Sequence, residues 1–295
     1  MPRIRKTSTA QGLTYTSSDF DDMGRRRISE QEAAELWNKN AAVWARHVGK
    51  GYDVYRLYLN NPNLLKLIGE VRGKKMLDAG CGEGYNTRIL ARQGALMTGI
   101  DISKEMIGYA RAAEEGESLG IRFEITSYTD LSMFPSGSFD AVVSFMALMD
   151  GPDFKGAMKA IFRVLRPGGN LYFSISHPCF QTKGMGWLKD ARGRTLKLLQ
   201  SDYFSKSHFV ERWGFGAAKG VEDEPPFSIA YFPRTLSEYV NQVIGAGFVL
   251  KKLQEPRPSS RLCREHPEFK NWRNPGTIFL QVHARKPKRV RGRTS

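Results

Sequence analysis

The sequence predicts an α/β fold: a mostly parallel sheet of seven strands with helices on both faces, an N-terminal helical cap and an inserted lid. Three observations carry the prediction. From Lys74 onward, apolar runs of strand length alternate with segments of helical period. The first run ends in a glycine-rich turn and the second on an aspartate, Asp101. One long stretch, residues 177–234, breaks the alternation.

Taken in chain order, residues 1–27 hold six Lys/Arg and three Asp, and residues 284–295 hold six Lys/Arg and no acid, so the two ends carry +9 of the net +15. Both are polar and unpatterned, which predicts disordered, solvated basic tails over 1–27 and 285–295. Ser29–Glu32 (S-E-Q-E) is a capping box, and the helix it starts sets Trp37, Ala41 and Trp44 on one face. It begins a helical cap over 28–73. The tyrosine-rich run GYDVYRLYLNNPNLLKLIGEV closes that cap in a position to cover a ligand.

Strands are expected at 74–79, 96–101, 121–125, 139–145, 169–176, 248–253 and 277–284, and helices near 84–93, 103–115, 153–165 and 236–245. Ser103 caps the second of these helices, Arg166–Gly169 (RPGG) ends the third, and Thr235–Glu238 is a second capping box. The core is thus assigned to 74–176 and 235–284. Residues 177–234 are too long for a plain loop and predict an inserted lid that recognises substrate. Its aromatics (Phe180, Trp187, Tyr203, Phe204, Phe209, Trp213, Phe215, Phe227, Tyr231, Phe232) suit either an apolar or aromatic acceptor pocket or a small core of the lid's own.

Composition narrows the class. At 41% hydrophobic residues the chain is ordinary globular material, and no apolar stretch approaches a membrane span. MPRIRKTSTAQ has no apolar core of a secretory signal. Three cysteines, Cys81, Cys179 and Cys263, have no metal-ligand spacing, so neither a metal nor a disulfide framework is expected and a cytoplasmic location fits. The string Cys263–His266 (CREH) reads as loop.

The chemistry concentrates in MLDAGCGEG, Met76–Gly84. Glycines at 80, 82 and 84 let the backbone turn sharply and approach a ligand closely. Asp101 follows Gly84 by 17 residues, at the tip of the next strand, where a carboxylate can accept from both hydroxyls of a ribose. The expectation is a Rossmann-like nucleoside site. The spacing D-x-G-x-G-x-G differs from the G-x-G-x-x-G of pyrophosphate binders, and Asp78 with Glu83 suits a cationic ligand.

LDAGCGEG, GID at Gly99–Asp101, FDAVVS at Phe139–Ser144, RVLRPGG at Arg163–Gly169 and GAGF at Gly245–Phe248 resemble, in that order, the class I S-adenosylmethionine-dependent methyltransferases. Within them the likeness is to the ubiquinone/menaquinone-biosynthesis-like (type 11) branch, whose members mostly modify small molecules. The resemblance implies that Gly80, Gly82 and neighbouring backbone, with Gly84 closing the loop, pass under the methionine portion of the methyl donor. It implies that Asp78 fixes the loop or meets the amino group, Asp101 holds the ribose hydroxyls, and Ile102 packs on the adenine. Phe145 and Met146 line the sulfonium end. Where the family often has an acidic residue that reads the adenine amino group, this chain has Tyr128, leaving the Thr129 backbone or Asp130 to supply the contact.

The expected function is methyl transfer from S-adenosylmethionine, without a metal, to an O, N or C atom of a small, apolar or aromatic acceptor. His177, after the fifth strand, is the candidate general base; its other reading is a histidine that hydrogen-bonds the lid. Cys179 reads as a packed cysteine. SFMA after the fourth strand lacks the Asn/Asp-Pro-Pro-aromatic pattern of enzymes that methylate adenine or glutamine nitrogen. An RNA or protein methyltransferase using the basic tails, and a non-catalytic module of the same fold, stand as alternatives.

Overall fold

The computed structural model describes residues 27–213 and 227–288, with backbone alone for Trp213 and for 5–8, 14–17 and 19–22. Seven strands build the central sheet: β1 (Lys75–Ala79), β2 (Leu96–Asp101), β3 (Arg122–Ile125), β4 (Phe139–Phe145), β5 (Leu165–Ser176), β6 (Val249–Gln254) and β7 (Phe279–Arg285). Their order is β6-β7-β5-β4-β1-β2-β3. The five strands from β1 to β5 pair in parallel, and β7 runs antiparallel to both β5 and β6. This is the seven-stranded, mostly parallel sheet that the alternation predicts.

The helices are α1 (Glu30–Gly49), α2 (Asn61–Ile68), α3 (Tyr85–Arg92), α4 (Lys104–Gly116), α5 (Phe154–Val164), α6 (Leu236–Gly245) and α7 (Ser260–Glu265). Both capping boxes form: Ser29 accepts from the Glu32 N–H and Thr235 from the Glu238 N–H. Ser103 caps α4 as predicted. Cys263–Glu265 lie in α7 rather than in a loop, because Ser259 accepts from the Leu262 N–H and starts a helical turn.

Strand residues alternate between two cores, which is why the central strands read as continuous apolar runs. Leu77, Val142 and Phe173 pack with Phe154, Met158 and Ile161 of α5 and Val243 of α6. Met76, Val143 and Tyr172 pack on the other face with Leu64 and Ile68 of α2, Leu90 of α3 and Ile107 of α4. A π-helical turn, Arg56–Asn60, leads into α2 and is tied to the sheet by buried amides. Gln281 of β7 donates to the Asn60 carbonyl at 2.8 Å and to its side-chain oxygen at 3.0 Å, and Asn60 donates to Ser174 of β5 at 3.0 Å.

Outside the main sheet, Gly186–Lys189 pairs with Thr195–Leu199, and Phe209–Trp213 pairs with Phe227–Tyr231. The N-terminal segment departs from the expected tail. Its backbone forms strands at Arg5–Ser8, Thr14–Ser17 and Asp19–Asp22, the last two lying against Gly186–Lys189 and Phe209–Trp213. An unpaired strand edge leaves backbone N–H and C=O groups unmet, and a short β-prone segment such as TYTS satisfies them. Residues 289–295 of the expected C-terminal tail lie outside the described residues, and Arg285 belongs to β7.

Gln281→Leu removes the donor that Gln281 gives to two oxygens of Asn60. It is expected to cost roughly 1–3 kcal/mol in urea unfolding, and a loss near zero contradicts the anchoring role.

Candidate functional site

The helices that follow β1 and β4 pack on opposite faces of the sheet, α3 in one core and α5 in the other. Loops leaving these two neighbouring strands therefore diverge, and a crevice forms at their carboxyl ends. A cavity of about 450 Å³ occupies it.

The glycine loop forms its floor. Gly80 has φ 79°, and a Cβ there would sit 2.3 Å from Cβ of Ala147, so only glycine lets the loops after β1 and β4 touch. Gly82 has φ 57°, and its N–H donates to Oδ2 of Asp101 at 2.9 Å. The Ser103 N–H donates to Oδ1 of the same carboxylate at 2.8 Å. Asp78 accepts from the Thr87 hydroxyl at 2.6 Å through Oδ2, while its buried Oδ1 has no partner. Glu83 accepts from the indole N–H of Trp44 at 2.9 Å, which docks α1 on the loop. Met146, at the end of β4, holds φ 59°, a strained conformation for a side-chain-bearing residue at a cavity wall.

Asp78 and Glu83 are buried and Asp101 half-buried, and among the described residues none of the three forms an ion pair. Burial, opposed by the Thr87 hydrogen bond and reinforced by the charges of Asp101 and Glu83, pushes Asp78 up to about 7. Burial likewise pushes Asp101 up to about 6, against the N–H groups of Ser103 and Gly82. The cap supplies Asp53, Tyr55 and Arg56 to the wall, with Arg56 paired to Asp53 at 2.8 Å and lying 4.7 Å over the Trp44 ring. Residues of 177–234 that reach the cavity are Gln181, Trp187, Glu211, Ile229 and Tyr231.

Of the predicted site residues, Asp78, Gly80, Gly82, Asp101, Ile102, Phe145 and Met146 meet in this one cavity. Gly84 lies behind it, where a Cβ would come within 2.9 Å of the Phe123 ring. Thr129 hydrogen-bonds Ser127 and Glu30 instead of lining the cavity, and Asp130 turns outward to the Ser132 N–H at 3.1 Å. In their place Ser127 and Tyr128 form the wall.

His177 does not line the cavity either. It is 1% exposed; its Nδ1 accepts from the Cys179 N–H at 3.2 Å and Nε2 lies 2.8 Å from Oε1 of Glu255. Both ring nitrogens are thereby spent, and burial holds its pKa below the ordinary histidine value. Of the lid aromatics, Phe227 packs with Trp44 at 5.6 Å, Phe204 is exposed, and Phe215 with the side chain of Trp213 lies outside the described residues. Sequence reasoning missed Asp150, Glu211 and Trp272 as cavity residues; single acids and a lone tryptophan have no period to mark them.

Residues 77–173 match the family profile described as a methyltransferase domain. The chain is similar to ubiquinone biosynthesis O-methyltransferase of Xanthomonas oryzae, 35% identical over 121 residues, 40% of this chain and 51% of that protein. The match thus spans about half the length of that relative. The protein of the same name from Coxiella burnetii is 31% identical over 162 residues, 54% of this chain and 67% of its own. Among solved structures, an S-adenosylmethionine-dependent methyltransferase from Mesorhizobium loti is 30% identical with a TM-score of 0.62, covering 76% of this chain and 96% of that one. The Burkholderia thailandensis 1,6-didemethyltoxoflavin-N1-methyltransferase, holding S-adenosylhomocysteine, shares the fold at 15% identity and a TM-score of 0.53, over 96% and 100% of the two chains.

Asp78 and Asp101 bind protons more readily in the folded chain than in the unfolded one. Between the ordinary value of 3.8 and about 6 to 7 the folded state holds more protons, so their contribution to stability falls as pH rises through that window. In thermal unfolding without ligand, Asp78→Asn is expected to gain stability relative to the parent chain as pH climbs across that window. Parallel pH profiles for the two proteins contradict this.

Proposed function

The chain belongs to the class I S-adenosylmethionine-dependent methyltransferases, and on that premise we propose that it methylates an oxygen, nitrogen or carbon atom of a small acceptor. The observation that carries the reading is the orphaned Oδ1 of Asp78 beside Asp101 and the glycine loop. A buried carboxylate oxygen without a donor is costly, and a ligand ammonium supplies the missing partner. The carboxylates fit the donor, which carries two cationic centres and a ribose.

Asp78 would receive the amino group, and Asp101 the ribose hydroxyls through its remaining lone pairs. Ile102 would lie against the adenine, and Phe145 and Met146 beside the sulfur. When bound, the donor supplies a methyl group on a cationic sulfur. The chain's part is to hold the acceptor in line with that group and keep water out, an alignment worth roughly 7–11 kcal/mol of barrier when the geometry is good. The name of the curated relatives supports a small-molecule acceptor, as does a cavity walled by 177–234 acting as a lid over a core of 74–176 and 235–284. Three free thiols support a cytoplasmic setting.

Asp101→Ala is expected to weaken S-adenosylmethionine binding by roughly 1–3 kcal/mol, about 5- to 150-fold in Kd by calorimetry; an unchanged Kd removes the ribose assignment. His177→Ala, in contrast, is expected to lose roughly 1–3 kcal/mol in chemical unfolding and to leave the pH profile of methyl transfer where it was. A displaced profile with intact stability reinstates the base.

A further inference from the structure

The donor reading uses Asp78 and Asp101; of the other acids lining the cavity outside the glycine loop, Asp53 is paired with Arg56 and Glu30 accepts from Ser127 and Thr129, which leaves two. Glu211 comes from the lid strand Phe209–Trp213 and Asp150 from the loop after β4. Neither side chain forms a hydrogen bond or ion pair among the described residues. The nearby guanidinium of Arg234 is spent on the carbonyls of Gly151 and Pro152. The lid strands present Glu211, Ile229 and Tyr231 to the cavity. Tyr231 gives its hydroxyl proton to the carbonyl of Gln181, whose own Nε2 is buried without an acceptor while the residue lines the same cavity. The cavity therefore offers unmet acceptors and one unmet donor, and the rings of Tyr55, Trp187 and Trp272 also line it.

Resting on the methyltransferase reading, we propose that the acceptor is a small amine that enters as an ammonium ion, and that Glu211 binds it and takes its proton. Aromatic faces with carboxylates at hand are the chemistry that recognises an ammonium group. Burial pushes Glu211 up to about 7, which suits a group that must give up its charge to an incoming proton. In the step, the N–H bond breaks and its proton goes to the Glu211 carboxylate. The freed nitrogen lone pair forms the N–CH₃ bond as the S–CH₃ bond breaks and its electron pair returns to sulfur. One ammonium and one sulfonium with one carboxylate become one methylated ammonium, one thioether and one carboxylic acid, so charge balances. Gln181 would donate to an oxygen on the same acceptor.

Calorimetry on the full chain saturated with S-adenosylhomocysteine tests this with choline and its uncharged isostere, 3,3-dimethylbutan-1-ol. Choline is expected to bind about tenfold or more tightly than the isostere, and Glu211→Gln to erase that margin while affinity for S-adenosylhomocysteine stays within about twofold. Equal affinities for the two probes in the parent chain, or a margin that survives in Glu211→Gln, overturn the amine assignment alone. Failure of the parent chain to bind S-adenosylhomocysteine overturns the donor reading beneath it.

Discussion

Buried negative charge at the carboxyl end of the sheet is the constraint around which the rest of the structure is arranged. Asp78 and Glu83 of the glycine loop and Asp101 at the tip of β2 crowd together, and among the described residues each is held by neutral donors: a threonine hydroxyl, an indole N–H and two backbone amides. Neutral donors lessen the cost of burying a carboxylate without cancelling it. The loop survives because the two cores on either side of the sheet fix β1 and β4, and with them the positions of the acids.

The same hydrogen bonds assemble the cavity. Trp44 reaches Glu83 from α1, so the cap is fastened to the loop and brings Asp53, Tyr55 and Arg56 with it. The π-helical turn that carries Arg56 is pinned from below by Gln281 and Ser174. On the far side, Phe227 packs on Trp44, which draws the lid strands to the same helix. Backbone strands from the first residues then pair with the edges of Gly186–Lys189 and Phe209–Trp213. Charge at the floor and packing at the roof are thus joined through one tryptophan.

The sheet and its helices were legible because their signals are periodic or chemical: strand runs buried on both faces, Ser and Thr caps, and glycines before a helix. That Asp78, Gly80, Gly82 and Asp101 meet in one cavity was legible for a similar reason, since they sit at fixed offsets from strand ends. What was not legible depended on tertiary choice. Ser127 and not Thr129 faces the cavity although both hydroxyls donate to Glu30, at 2.6 Å and 3.2 Å, a contact with α1 that lies far away in sequence. The N-terminal strands escaped notice because composition reports charge and not the presence of an open strand edge to pair with.

His177 and Glu211 show why the kind of residue is a poorer guide than the state of its atoms. A histidine at the carboxyl end of β5 has the right place for a base, yet both of its nitrogens are spent, one on the Cys179 N–H and the other on Glu255. Its work is geometric. The His177 carbonyl accepts from the Gln181 N–H at 2.8 Å, and the Gln181 carbonyl in turn accepts from Tyr231, so the turn after β5 holds the lid strand that carries Glu211's neighbours. A proton acceptor needs a free lone pair facing the space where the nucleophile stands. Glu211 lines the cavity with no side-chain partner among the described residues, whereas His177 is outside it with both nitrogens engaged, so on the amine reading the proton goes to Glu211.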